Sequence, residues 1–358
     1  MHVALVYDRL NKIGGAEKVL IAFHELFPDA DWYTSVYEPK LTPFTKNWKI
    51  TTSWLNKVPF LRTHHQWIPY LMPFVFEFFD FSQYDLVISI GSAESKGIIT
   101  KPGTFHLNYC LTPTRYLYSH QSEYLSNPVY RFIANFLRKW DLVAATRPDQ
   151  MIAISTQVKS RIKNIYKRDS DIIFPPVDTG KFSGTVSRCH SFTNYYLTVA
   201  RLVPYKKIDI LIKAFNQNGK TLIVIGRGEA CLALKRLAKK NVHLLGSASD
   251  SELVSYYSHA RAFLQANEED FGISMVEAQA AGIPVIAYGY GGAVDIVKDQ
   301  KTGILVEHNT VSDFVSAVDM FETMTFDREV CRTNAKRFDS TIWARLMSER
   351  ITQICHKN

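Results

Sequence analysis

Two glutamates, Glu269 and Glu277, stand eight residues apart in "FLQANEEDFGISMVEAQAAGIPVIAY" (263–288). Upstream, "ARLVPYKKID" (200–209) places Arg201 and Lys206 on one loop, with Pro204 stiffening the chain between them. Two cations so spaced can hold a diphosphate, the arginine by a planar fork and the lysine as a point charge. They also stabilise negative charge that grows on a departing diphosphate. Carboxylates have the opposite preference and accept hydrogen bonds from hydroxyls. A helix opening at "DFGIS" aims backbone N–H groups and the positive end of its dipole at an anion. Together these groups suit a ligand with phosphates in the middle and polyols on either side, such as a sugar nucleotide.

The elements that must position these groups are legible as alternating apolar runs. In the second half, strands are predicted at 195–200, 221–226, 242–245, 262–266, 284–288 and 303–306, with helical stretches between them and a helical tail from about 311. In the first half, strands are predicted at 2–8, 84–90, 105–110 and 149–155, with a helix at 16–27. Strands alternating with helices imply parallel sheets, and the pattern occurs twice. The polar stretch "TVSRCHSFTN" (185–194) reads as a linker between the two repeats. Residues 1–183 are thus expected as one α/β domain and 184–335 as a second, with 336–358 a C-terminal helix packing back on the first. Ligands of such sheets bind at the carboxyl ends of the strands, here in a cleft between two domains.

The chain has 358 residues, 46% hydrophobic and 21% charged, which is the balance of a soluble globular protein. No apolar run reaches the length of a spanning helix, and "HVALVYD" follows Met1 directly, so no signal peptide is expected. Five scattered cysteines without a CxxC pair argue against a disulfide framework or a zinc knuckle and fit a reducing cytoplasm. The net charge of +8 suits anionic partners, but no basic block is long enough for a nucleic-acid tail.

Other motifs are weaker. Gly14-Gly15, between the first strand and first helix, either lets backbone N–H groups approach an anion or makes a tight turn. "GRGEA" (226–230) lacks the third glycine of a dinucleotide fingerprint, which disfavours a dehydrogenase. "DAD" (29–31) resembles a metal-binding DxD but falls where a turn is expected, and no metal role is assigned to it. The segment 58–84 is dense in aromatics, carries Arg62, His64 and His65, and has three prolines that rule out one long helix. It is either core of the first domain or a surface that meets a membrane or a lipid tail.

Taken together, "ARLVPYKKIDILIKAF", "EEDFGISMVEAQAAGIPVIAYGYGGAVDIV" and "TGILV" resemble the retaining glycosyltransferases of family 4. The likeness extends to "GGAEKVL", "LFPDADWYTSVY", "YCLTPTRYLY" and "MIAIS" in the first half. It implies the GT-B fold, two Rossmann-like domains facing across a cleft. It also implies roles residue by residue. Glu269 and Glu277 match the family's E-x7-E pair, the first at the donor sugar's hydroxyls and the second near the ribose. Arg201 and Lys206 match the pair on the donor diphosphate. Gly14 and Gly15 match the glycine loop facing phosphates and acceptor. Phe271, Gly272, Ile273 and Ser274 match the backbone turn at the sugar and phosphate. The chain departs from the pattern at Asp270, usually Gly, at Ser274, usually Pro, and at Leu111, where many relatives carry a sugar-facing His. His106, five residues earlier, could stand in for it, a core or surface histidine being the alternative.

The members it looks most like are bacterial mannosyltransferases of lipopolysaccharide and O-antigen synthesis. The resemblance therefore implies transfer of a hexose, with mannose from GDP-mannose as the leaning, without metal or other cofactor. The acceptor would be a saccharide, polyprenyl-diphosphate-linked, met by a cytoplasmic enzyme peripheral to the inner face of the membrane, with no nucleic acid as partner. Competing readings are a GT-B-like epimerase or phosphorylase, and a non-catalytic scaffold that binds a nucleotide or a membrane.

Overall fold

Thirteen short strands form two all-parallel sheets in a computed structural model, which describes every residue except 12–13, 65–67, 119–127, 185–186, 188 and 356–358. His65 and part of the stretch read as a linker lie outside the described residues.

The chain divides by its contacts into two units: 1–174 with 344–358, and 175–343. In the first, β1 (Val3–Tyr7), β2 (Asp31–Thr34), β3 (Lys49–Thr52), β4 (Leu86–Gly91), β5 (Phe105–Cys110), β6 (Gln150–Ala153) and β7 (Asp171–Ile172) lie in the order β3-β2-β1-β4-β5-β6-β7. Its helices are α1 (Glu17–Leu26), α2 (Pro59–His64), α3 (Met72–Glu77), α4 (Arg115–Tyr118), α5 (Pro128–Ala144) and α6 (Thr156–Arg161). The central strands are mostly apolar and buried, as parallel strands covered on both faces are; β4 is buried throughout, and Ser89, His106 and Asn108 are the polar residues that β4 and β5 bury. The edge strand β3, "KITT", alternates between exposed and half-buried residues and has no apolar run to betray it.

In the second unit, β8 (Tyr195–Val199), β9 (Thr221–Ile225), β10 (Val242–Gly246), β11 (Phe263–Gln265), β12 (Val285–Tyr288) and β13 (Gly303–Val306) lie in the order β10-β9-β8-β11-β12-β13. The helices are α7 (Ile208–Asn218), α8 (Cys231–Leu237), α9 (Asp250–His259), α10 (Ile273–Ala280), α11 (Ala293–Ile296), α12 (Val311–Thr323), α13 (Arg328–Ala335) and α14 (Ser340–Cys355). Strand order reverses between β8 and β11, so the loops after these two strands diverge and leave a crevice for a ligand.

The division falls at 174/175 rather than at 183/184. Residues 175–183 are polar in composition yet are stitched to the second unit. The Val177 amide donates to the Phe338 carbonyl at 3.0 Å, the Ser340 amide to the Val177 carbonyl at 3.0 Å, and the Phe182 ring packs edge-on against Tyr257. At the other end the division falls inside α14, at Trp343/Ala344 rather than at 335/336. Residues 344–358 cluster with the first unit, where Arg350 pairs with Asp171 at 2.9 Å.

Two local expectations change. Asp31 of "DAD" opens β2 instead of ending a turn, and its carboxylate accepts a hydrogen bond from the Tyr84 hydroxyl at 2.8 Å. The segment 58–84 is divided between core and surface. Met72, Val75, Phe76, Phe81 and Tyr84 enter the core beneath β1 and β4, while Phe60, Tyr70, Phe74 and Phe78 stay exposed.

Candidate functional site

The loops after β8, β9, β11 and β12 of the second unit pack against one another and carry most of the residues singled out by their chemistry. Lys206, in a single turn of 3-10 helix (Pro204–Lys206), donates to Glu269 as an ion pair that is largely but not fully shielded. Gln265, the last residue of β11, also donates to the same Glu269 oxygen, at 3.3 Å. Arg201 is exposed, and its guanidinium donates to the Tyr205 hydroxyl at 2.6 Å. The Lys206 ammonium lies 5.4 Å from the centre of the Tyr205 ring. Tyr205 thus steadies both cations by a hydrogen bond and a cation–π contact.

Gly272 caps α10 with φ +105°, a backbone region that L side chains rarely adopt, and a Cβ there would sit 2.2 Å from the Met275 methyl. The turn aims the first amides of α10, from Ile273 and Ser274, out of the helix end, where a helix leaves N–H groups without intrahelical partners. Phe271 is buried edge-on against Phe338, which anchors the turn from behind. One turn into α10, Glu277 is buried and accepts from the Tyr257 hydroxyl at 3.1 Å. Burial, the Glu277 charge and the bond to it hold the Tyr257 phenol well above its usual range, with a hydrogen bond from Ser274 pulling the other way. Ser274, a departure from the usual proline, therefore belongs to a Ser274–Tyr257–Glu277 cluster.

Glycines set how closely these loops approach. A Cβ on Gly291 (φ +68°) would lie 2.3 Å from the Glu269 carbonyl oxygen, and one on Gly292 would lie 2.0 Å from that of Phe271. The Gly292 amide donates to the Glu269 carbonyl at 2.8 Å. Likewise a Cβ on Gly226 would lie 1.8 Å from the Ala200 carbonyl oxygen, and one on Gly228 2.2 Å from that of Leu202. The GxG of "GRGEA" is therefore a seat for the Arg201 loop.

Sequence reasoning missed Tyr257, Tyr205 and Gln265. Gln265 lay within the quoted stretch 263–288, at the end of a predicted strand; Tyr257 and Tyr205 carried no signal beyond being tyrosines.

In the first unit, Gly14 and Gly15 occupy the turn between β1 and α1. Both are exposed, the Gly14 amide donates to Glu17, and a Cβ on Gly15 would meet nothing within 4 Å. Leu111 follows β5 directly, its amide donating to the Gly91 carbonyl at 2.9 Å. His106 is a core histidine: it is fully buried in β5, Nε2 lies 2.7 Å from the Ser89 hydroxyl, and burial, with Arg168 and Arg147 nearby, depresses its pKa to about 3. It does not stand in for a sugar-facing histidine. Among the described residues no three His, Cys, Asp or Glu side chains converge as metal ligands would.

Residues 190–338 match the family model described as "Glycosyl transferases group 1". That stretch of the chain is similar to the glycosyltransferases of this group. The match contains Arg201, Lys206, Glu269, Phe271, Gly272, Ile273, Ser274 and Glu277, so the loop cluster lies inside the matched stretch. Among similar proteins is a GDP-mannose-dependent alpha-(1-6)-phosphatidylinositol monomannoside mannosyltransferase of Mycobacterium tuberculosis, 28% identical over 198 residues, 48% of this chain and 51% of the relative. An uncharacterised glycosyltransferase of Methanocaldococcus jannaschii is 29% identical over 175 residues, 48% of each chain. The chain spans about half the length of the curated relatives it matches. Solved structures match along nearly the whole chain. Anabaena Alr3699/HepE in complex with UDP-glucose superposes with a TM-score of 0.72 at 17% identity, covering 99% of this chain and 100% of that one. The lipopolysaccharide outer core galactosyltransferase WaaB gives 0.68 at 18% identity over 99% of each chain. This likeness identifies the fold: two Rossmann-like units in the GT-B arrangement of chain order.

Proposed function

We propose that the protein transfers a hexose from a sugar nucleotide to a saccharide hydroxyl, with retention at the anomeric carbon. The observation that carries this reading is the Lys206–Glu269 pair beside Arg201 and the start of α10, at the reversal of strand order in the unit that contains the matched stretch. Arg201, Lys206 and the α10 amides receive the diphosphate. Glu269 takes hydroxyls of the donor sugar, and Glu277, fixed by Tyr257, faces the ribose. The acceptor oxygen bonds to the anomeric carbon on the face from which the diphosphate leaves. The carbon–oxygen bond to the diphosphate breaks, and the acceptor's proton passes to a diphosphate oxygen. The two cations and the helix end stabilise that leaving group, so the reaction proceeds without a metal and persists in EDTA.

GDP-mannose is the donor we favour, because relatives of this domain are named as GDP-mannose-dependent. A structural neighbour holds UDP-glucose, which makes a uridine donor the alternative to be tested. For the acceptor we favour a polyprenyl-diphosphate-linked saccharide at the inner face of the cell membrane, in line with the lipid acceptors in those relatives' names. No described helix is long and apolar enough to cross a membrane.

A thermal-shift panel of GDP, UDP, ADP, CMP and their sugar conjugates tests this. A ligand at a hundred times its Kd stabilises by about 2.7 kcal/mol. A shift with GDP compounds alone, lost in Glu277→Ala, supports the reading and its donor. A shift with UDP compounds alone keeps the transferase and replaces the donor. No shift with any nucleotide overturns the reading in favour of a scaffold.

A further inference from the structure

Every exposed phenylalanine and tryptophan among the large apolar residues at the described surface belongs to the first unit. Among the exposed apolar residues of the second unit, Leu232, Met320 and Val330 stand on separate elements, and Tyr290, in the loop after β12, is the aromatic one. In the first unit they form rows. Tyr70, Phe74 and Phe78 recur every four residues along α3 and its ends, with Phe78 78% exposed. The opposite side of α3, with Met72, Val75 and Phe76, is in the core. α5 repeats the arrangement: Ala134 and Leu137 face inward, while Phe132 (79% exposed), Phe136 and Val143 face out. α3, apolar on both sides, requires a cover on each, whereas the outer side of α5 mixes its phenylalanines with Asn135 and Lys139.

The two helices meet at the carboxyl end of α3. Glu77, at the end of α3, accepts from the Trp140 indole at 2.8 Å and pairs with Arg147 at 2.6 Å. Trp140 lies one turn beyond Phe136, and Phe78 directly follows Glu77, so this contact ties the carboxyl end of the α3 row to α5.

Charge indicates what covers them. Residues 54–78 and 128–147 contain six lysines and arginines but only two carboxylates, Glu77 and Asp141. Both carboxylates are taken up in ion pairs, with Arg147 and with the buried Lys96. These 45 residues thus carry half of the chain's net +8, with Lys57 and Lys139 exposed. A second copy docking face to face would set like charge against like charge. An anionic bilayer supplies an apolar interior for the phenylalanines and negative headgroups for the lysines.

We propose that the outer faces of α3 and α5 are a docking surface for an anionic lipid bilayer. The proposal rests on the lipid-linked acceptor favoured above and adds the surface by which the protein would reach it.

Vesicle flotation of the full chain tests it, with vesicles of phosphatidylcholine alone and vesicles also containing phosphatidylglycerol. The wild type is expected to float with the phosphatidylglycerol vesicles and to be released by salt. Phe74→Ser with Phe78→Ser is expected to lower partitioning about tenfold or more, and Phe132→Ser, on the other helix, by several-fold. A nucleotide-induced thermal shift retained in these variants shows that they are folded. The proposal is overturned if the wild type does not float, or if both variants float as well as the wild type. It is also overturned if analytical ultracentrifugation finds a wild-type dimer that the double variant splits, which would make a second copy the cover. Vesicle binding without any nucleotide-induced shift would leave the docking surface standing and remove the transferase reading; the converse would do the reverse.

Discussion

The dipeptide Gly-Gly occurs at the carboxyl end of a strand in each unit, and it does different work in each. Gly14-Gly15 of the first unit stands in open space, where a side chain at Gly15 would touch nothing. Gly291-Gly292 of the second unit is clamped against the backbone of Glu269 and Phe271, the loop that carries the candidate chemistry. A glycine can leave room for a ligand or allow two loops to touch, and the local sequence is the same in both cases. In the second unit, glycine contacts also join the Arg201 loop to "GRGEA", so the site there is a block of interlocked loops. The first unit offers an accessible turn.

Breaking the clamp gives the largest effect. Gly292→Ala places a methyl inside the Phe271 backbone, and overpacking against backbone costs about 3 kcal/mol or more. Urea denaturation is expected to show that loss, with nucleotide binding lost alongside it. An unchanged midpoint would mean that the loops are free to part. Next comes Tyr257→Phe, which removes a donor to a buried carboxylate and costs about 2 kcal/mol. Nucleotide affinity is expected to fall with it, since Glu277 loses the bond that orients it.

The sheet of the first unit carries a pH effect smaller per unit. His106 has a folded pKa of about 3, below its ordinary value. Between the two values only the unfolded state takes the proton, so stability is full above about pH 6.5 and falls by about 1.4 kcal/mol for each unit below it. His106→Asn is expected to flatten that slope when denaturation is followed from about pH 7 down to about pH 5. The smallest stability effect is expected at the open turn. Gly15→Ala should change stability by no more than about 0.5 kcal/mol. If the turn faces phosphates or acceptor, turnover nevertheless drops; equal stability with equal turnover would make it a plain connection.

The second unit was the more legible of the two from its residues. Its six predicted strands are all present within a few residues of their expected ends, because buried parallel strands are apolar runs. In the first unit, β2, β3 and β7 were not anticipated. β3 is a polar edge strand and β7 has only two residues, so neither shows the apolar run that marks a strand. The fold division was blurred where 175–183, polar in composition, is bound to Phe338 and Ser340 far along the chain.

What the chain determined alone was the set of chemical groups and the elements that carry them. Arg201 and Lys206 share a loop, and Glu269 and Glu277 flank a helix start, because spacing along a strand, turn or helix is a local property. The tertiary structure alone decided which groups meet. Lys206 pairs with Glu269 across 63 residues, Tyr257 reaches Glu277 from another helix, and His106 vanishes into a sheet. Such contacts depend on how strands are ordered and how closely loops approach, and no periodicity along the chain records either.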